Sequence, residues 1–551
     1  MMSDQKIFIN GNILTMDETN TIASSIAIKN GTIIGIWEEK QPPLEVITAT
    51  DTVETIDLAG KTMLPGFIDT HNHILMYGLF YDQVNCSTPP NASIPDILKR
   101  IENKVASTPE GEWIIGFGYD DTLLTENRHP TRNDLDTVSP NHPVLIRHIS
   151  GHLAVANSLA LFHANVDDNV AQPIGGHFGK DENGKLDGVL YEPAAIEPIQ
   201  QKIPENTIDE MVKALENAAK EYIAQGITTN TDAKVDNLPQ LQAHLKAAKL
   251  QRNPMRTQLM IMHQLLREDG PFHHYSPEDL NKLIQNGSNG LARLDSIKMF
   301  QDGSIQGLTG ALREPYYKHP NIYGDLIHEQ ASFEEDVLAL HQRGYRITTH
   351  GNGDKAIGSI LDAYENALNV HPKERHQHRI EHVQTATPDD IKRMQKLQVA
   401  GSFFINHVFY WGDRHEKIFL GPERARRINP LAEAKENDLL YTLHSDCPIT
   451  PISPLFSIWA AVTRKTRAGK TLGAEQRIDV ITAIKAMTIY GAKLIFDEEN
   501  TGSIEIGKKA DFAILNDDPL TIEPEKIKDI EVVATIINGE KVFDKTSVTL
   551  S

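Results

Sequence analysis

Six residues of the types that hold metal ions or move protons stand near the ends of apolar runs. They are His71 and His73 in "PGFIDTHNHI", Lys298 in "LDSIKMFQDG", His350 in "YRITTHGNG", His382 in "HRIEHVQ" and Asp446 in "LLYTLHSDCP". Side chains two apart on a strand share a face, so His71 and His73 are expected to point into the same space. Four imidazoles and a carboxylate are ligand types for Zn2+ or a similar first-row divalent ion. A lone strand-end histidine is ordinarily a satisfied structural group; the joint placement at the same end of successive runs is what favours a metal site. A lysine cannot ligate a cation as an ammonium, so Lys298 needs an explanation of its own. With 23 histidines in the chain some coincidences are expected, and His376, His407 and His444 are left outside the ligand set.

The elements that must position these residues follow from periodicity. Eight strand-like runs ("MLPGFIDTHNHI", "GITTNTDA", "RTQLMIMHQL", "LDSIKMFQDG", "YRITTHGNG", "HRIEHVQ", "VAGSFFIN", "LLYTLHSDCP") alternate with amphipathic helical stretches such as "IDEMVKALENAAKEYIAQ" and "FEEDVLALHQRG". That alternation predicts an α/β fold with a parallel sheet, and eight such units close most readily into a (β/α)8 TIM-like barrel over residues 65–483. The gap between the first two runs far exceeds a barrel crossover, so an inserted subdomain is expected over approximately 88–205, lying over the end of the first strand. Head and tail, 1–64 and 484–551, both read as short strands broken by Gly and Asn-Gly. They predict one discontinuous β-sandwich, with hairpins at Asn10-Gly11 and Asn30-Gly31.

Composition bounds the setting. The 551 residues are 40% hydrophobic and 23% charged, an ordinary globular profile. A net charge of -21, with no basic run longer than "RARR" at 424–427, argues against nucleic-acid partners, whose phosphates call for clustered Lys and Arg; the short run reads as a solvated helix face. No leader or spanning segment is visible, and two distant cysteines, Cys86 and Cys447, fit a reducing compartment, so the cytoplasm is expected.

In order, "PGFIDTHNHI", "SIKMFQDGSIQG", "THGNGDKAI", "RIEHVQ" and "LHSDCP" resemble the signatures of the metal-dependent amidohydrolase superfamily, in its YtcJ-like branch (amidohydrolase family 3) that includes N-substituted formamide deformylases. The resemblance covers nearly the whole chain and extends to "GSIEIGKKADFAIL" in the tail. It implies that His71 and His73 bind one metal, that His350 and His382 bind a second, and that Asp446 sits beside the first. It further implies that Lys298 bridges them as a CO2-derived carbamate, offering two anionic oxygens where an ammonium offers none. The substrate class implied is a small-molecule, non-peptide amide, cleaved by a metal-activated water with Asp446 as general base and then acid. His152 in "SGH" is a candidate donor to the substrate carbonyl, and Asn352, Asp302 and Trp411 are candidate substrate contacts. An ester or lactone hydrolase, a deaminase and a non-catalytic regulatory or binding protein are the alternatives. Asn352 stands where a cyclic amidine deaminase carries Glu, and the filled ligand positions argue against a spent enzyme. Metal count and self-association into a homo-oligomer are left open. Gly502 to Lys508 imitates the start of a phosphate-binding loop, but Lys509 takes the place of the required Ser or Thr.

Overall fold

The computed structural model describes residues 5–43, 53–81, 83–121, 123–149, 153–173 and 176–545. The chain divides into two compact units, Met1–Leu75 with Leu215–Ser551, and Met76–Ala214.

The larger unit contains the barrel. Its parallel strands are β1 (Phe67–Asn72), β2 (Ile227–Val235), β3 (Arg256–Met262), β4 (Ala292–Phe300), β5 (Ile347–Gly351), β6 (Arg379–His382), β7 (Ala400–Phe403) and β8 (Tyr441–Leu443), adjacent in that order. The eight runs expected from the sequence all become these strands. The ends meet where the Asp446 N–H donates to the His71 carbonyl at 3.2 Å and the His73 N–H to the Cys447 carbonyl at 2.8 Å. Closure therefore falls on the residues that carry chemistry. Phe300, His350 and Glu381 sit level across β4, β5 and β6, with Lys298 two residues below and level with Thr348 and Arg379.

Helices cover the strands for local reasons. The helix Gln330–Gln342 leads into Gly344 at φ +88°, a left-handed position past the last turn that glycine occupies without strain. The helix Pro388–Lys396 starts in a reciprocal Thr387/Asp390 capping box and lays Ile391 and Met394 against the core. The "RARR" run is more engaged than a solvated face: Arg424 donates to the carbonyls of Leu420, Glu314 and Pro315, while Arg426 and Arg427 pair with Glu475 and Glu433.

Strands of both termini share one sheet, since Thr62–Pro65 pairs antiparallel with Phe512–Leu515. Phe8, Ile26, Ile28, Met63, Phe512 and Ile536 form a core here. Asn30-Gly31 makes the expected hairpin with both residues at positive φ. Asn10-Gly11 does not. Its flanking strands, Gln5–Ile9 and Asn12–Leu14, lie in different sheets, so there the dipeptide turns a corner. Residues from 484 up to the tail strands begin as helix: Val480–Ala486 and Ile489–Leu494 precede Phe512–Leu515, and Ile489, Ala492 and Ile495 pack on Ile68 of β1.

The smaller unit holds a six-stranded sheet in the order His177–Lys180, Leu186–Tyr191, Leu153–Ala156, Val144–His148, Ile114–Tyr119, Val84–Asn85, with a core of Ile97, Ile101, Ile114, Val144, Ile146 and Val155. Among the described residues no helix is long and apolar enough to cross a membrane, and both cysteines are buried free thiols.

At the N-terminal ends of β5 and β6 lies a second group of histidines, remote in role from the first. His341 Nδ1 is 2.9 Å from His378 Nε2, His378 Nδ1 accepts the Ile347 N–H at 3.0 Å, and His376 Nδ1 accepts the His378 N–H at 2.9 Å. Those acceptor nitrogens exist only in neutral imidazoles. Burial holds His378 well below its ordinary range and His376 at about 4. Because the folded pKa lies below the unfolded one, the unfolded chain takes up protons first. Stability is therefore lost as pH falls below about 6.5 and goes on falling toward about 4. The urea midpoint should drop between about pH 7 and 5, and less steeply in His376→Asn, which keeps an acceptor and cannot titrate; an equally steep drop would contradict this.

Candidate active site at the C-terminal ends of the barrel strands

Each candidate ligand is delivered by a strand end or the turn after it. His71 is the last but one residue of β1, with a buried ring. Its Nδ1 is 2.6 Å from Glu381 Oε2, which leaves Nε2 facing Asp446 Oδ1 at 3.3 Å. His73, one residue beyond the strand, presents its Nε2 to the same oxygen, also at 3.3 Å. His382 ends β6 at φ +71° and Asp446 follows β8 at φ +52°. Successive residues on a regular strand point to opposite faces, yet Glu381 and His382 both reach this cluster; the left-handed turn at His382 re-aims its ring. Non-glycine residues held there cost of order 1–3 kcal/mol each and concentrate at functional sites.

Ligand atoms of His71, His382 and Asp446 all lie within 4.8 Å of one another. The His71 and His382 rings are 4.9 Å apart, and His350 extends the set at 4.5 Å from His382. His350 Nε2 is turned toward the Gly303 carbonyl at 3.0 Å and the Asn352 amide nitrogen at 3.0 Å. Lys298 is buried on β4, its ammonium 5.0 Å from the Phe300 ring centre, and its Nζ has no hydrogen-bond partner among the described residues.

Electrostatics follow from burial among like groups. Burial, then the Lys298 charge, pushes His350 down to about 3, and burial with the His350 charge pushes His382 well below its usual range. Both are neutral imidazoles near neutral pH, the form that ligates. Burial likewise lowers Lys298 to about 8. Burial opposes the charged form of Asp446, but the imidazoles of His71 and His73 outweigh it and hold the carboxyl well below the carboxylate range. These donors fit a divalent first-row ion. Among the described residues Asp446 Oδ1 is buried without a well-formed hydrogen bond while two imidazole nitrogens face it, and Lys298 adds a buried Nζ without a hydrogen-bond partner.

The remaining candidates are placed more variously. Asp302 accepts the N–H groups of Ala311, Asn352 and Gly353 at 2.9, 3.0 and 2.7 Å, tying together the loops after β4 and β5; burial still raises its pKa to about 7. Asn352 donates to the Gly303 carbonyl at 2.9 Å. Trp411 is half-buried and reaches the cluster through Phe404 and His407, at ring distances of 6.2 and 5.5 Å. His152 lies outside the described residues.

Two partners escaped the sequence reading. Glu381 holds His71, a carboxylate orienting a candidate ligand. His444, set aside there, lies 3.2 Å from His382 Nδ1, accepts or donates at 2.8 Å with the Ser402 hydroxyl, and stacks on His71 at 4.7 Å. The alternation of Arg379 and Glu381 about Ile380 in "RIEH" was the available signal: two opposite charges on one face of an interior strand need partners.

A nearly closed (β/α)8 barrel that gathers imidazoles and a carboxylate at the C-terminal ends of its strands is the arrangement of a hydrolase with a candidate metal site. The chain belongs to the amidohydrolase family, whose model matches residues 54–543. It is 29% identical to the putative amidohydrolase YtcJ of Bacillus subtilis, over 98% of this chain and 99% of that one. It is 28% identical to the N-substituted formamide deformylase of Arthrobacter pascens, over 98% of each. Among solved structures it resembles an uncharacterized metal-dependent hydrolase from Pyrococcus horikoshii, with a TM-score of 0.76 at 24% identity over 95% of this chain and 99% of that one.

Proposed function

We propose that this amidohydrolase cleaves a non-peptide carbon–nitrogen bond of a small molecule in the cytoplasm, with His71, His73, His350, His382, Lys298 and Asp446 holding one or two zinc ions. The observation that carries the reading is the meeting of His71, His382 and Asp446 ligand atoms within 4.8 Å. A bound divalent ion supplies Lewis acidity there, lowering the pKa of water and polarising a carbonyl.

The chain's own groups do the rest. Asp446 takes the proton of the attacking water and returns it to the leaving nitrogen, which departs as a neutral amine. Glu381 keeps the His71 Nδ1 occupied so that Nε2 is the ligating atom. Lys298, in its neutral form, would add to CO2: the N–C bond forms as one C=O π pair moves onto oxygen and the N–H proton passes to solvent, and the resulting carbamate would supply anionic oxygens as ligands. The unpartnered Nζ supports that assignment. His152 serves the substrate carbonyl as a donor, and Asn352, Asp302 and Trp411 shape the substrate's surroundings.

Likeness to a formamide deformylase directs the first test to N-formyl amides. Zinc-loaded protein presented with N-formyl, N-acyl and cyclic amides beside matched lactones and esters should turn over an amide with the highest kcat/KM. Hydrolysis of esters or lactones alone would overturn the carbon–nitrogen assignment.

A further inference from the structure

A run of buried charges crosses the barrel interior and ends on one candidate ligand. Arg346, immediately before β5, places Nη1 3.1 Å from Asp295 Oδ1 on β4. Asp295 Oδ2 lies 3.4 Å from Arg379 Nη2 on β6, and Arg379 Nε donates to Glu381 Oε1. Glu381 Oε2 then meets His71 Nδ1 at 2.6 Å. Arg379 Nη2 also donates to the Thr70 carbonyl at 3.1 Å. One guanidinium thereby grips both the side-chain partner of His71 and the backbone just before it.

The alternation of sign, plus, minus, plus, minus, leaves no net charge along the run itself. Stability alone is a poor reason for such a run, because well-packed apolar residues of similar volume commonly replace buried ion networks without loss. The ladder does offer geometry, through Arg379 Nε and Nη2, while Arg379 Nη1 and Arg346 Nη2 are buried with no hydrogen-bond partner among the described residues. A planar guanidinium fixes two acceptors at once, and the carboxylate it holds sets which nitrogen of the imidazole carries the proton.

We propose that Arg379 is a positioning residue for the hydrolytic site: through Glu381 and the Thr70 carbonyl it fixes the His71 ring with Nε2 toward Asp446, and Asp295 and Arg346 hold Arg379 in turn. The proposal rests on the reading of His71 as a metal ligand. It makes the link from β4 and β5 to β1 part of the metal site, through groups that are not among the candidate ligands.

The test is zinc affinity of the full chain, measured by chelator competition, alongside thermal unfolding of the same samples. Arg379→Lys keeps the charge but cannot span both acceptors; Glu381→Gln keeps the shape. Each should weaken zinc binding about 10–100-fold while unfolding cooperatively. The double variant should lose less than the product of the two single losses, because both changes act in part through the shared Arg379–Glu381 contact and only the Thr70 link is independent of Glu381; independent packing defects would instead add. A folded Arg379→Lys with wild-type zinc affinity, or an additive double variant, overturns the proposal. If Arg379→Lys does not fold, Asp295→Asn replaces it, with a smaller loss expected and unchanged affinity overturning the proposal. A wild-type chain that binds no zinc overturns the site reading itself, an outcome distinct from variants that match a zinc-binding wild type.

Discussion

Asp446→Asn is expected to lower kcat by about 10²–10⁴-fold, the range that a positioned general base and acid contributes, while leaving zinc bound. The amide oxygen of asparagine can still face a cation beside His71 and His73, so the ligand geometry survives, but the side chain can neither accept the water's proton nor deliver it to the leaving nitrogen. The effect should fall on kcat with KM little changed, because the group acts on the reacting atoms. Metal analysis and steady-state kinetics on the same preparation check it. Near-normal turnover, or loss of the metal together with activity, would remove Asp446 from the role assigned to it.

The second large effect is expected at Lys298. Its Nζ is buried with no hydrogen-bond partner among the described residues, an arrangement that leaves a polar group unsatisfied at a cost of about 1–3 kcal/mol unless chemistry completes it. Addition of CO2 would turn that amine into an anion with two acceptor oxygens. Lys298→Ala should therefore lose most activity and recover part of it when short carboxylic acids such as propionate are supplied, since they return the missing anionic oxygens without the lysine stem. Activity of the unmodified enzyme should also rise with added bicarbonate after CO2 has been purged. Absence of rescue together with indifference to bicarbonate would contradict the carbamate and leave Lys298 a buried, uncarboxylated lysine beside Phe300.

The barrel was legible in the sequence because its strands are apolar runs that end in chemistry-bearing residues, and each of the eight runs forms a strand. What was not legible depends on long-range pairing. Asn10-Gly11 carries the same dipeptide as Asn30-Gly31, but the strands on its two sides find partners in different sheets, a choice made by residues far along the chain. The helix Ile489–Leu494, placed with the tail by position, packs on Ile68 because its apolar face finds β1. At the site, the ligand candidates announced themselves as residue types at strand ends. Glu381 and His444 did not, since an interior carboxylate and one more histidine acquire meaning only when β1, β6 and β8 come together. The left-handed backbone at His382, which turns its ring into the cluster, likewise has no signal in its residue type.

The central claim is that this cluster holds a metal ion on which hydrolysis of a carbon–nitrogen bond depends. The direct measurement is turnover of the best amide substrate by protein as purified, after exhaustive chelation, and after titration with zinc, with metal content determined at each stage. Activity should vanish on chelation and return in proportion to the zinc bound, reaching its plateau at one or two ions per chain. Unchanged amide hydrolysis by chelated protein shown to be free of metal would contradict the account.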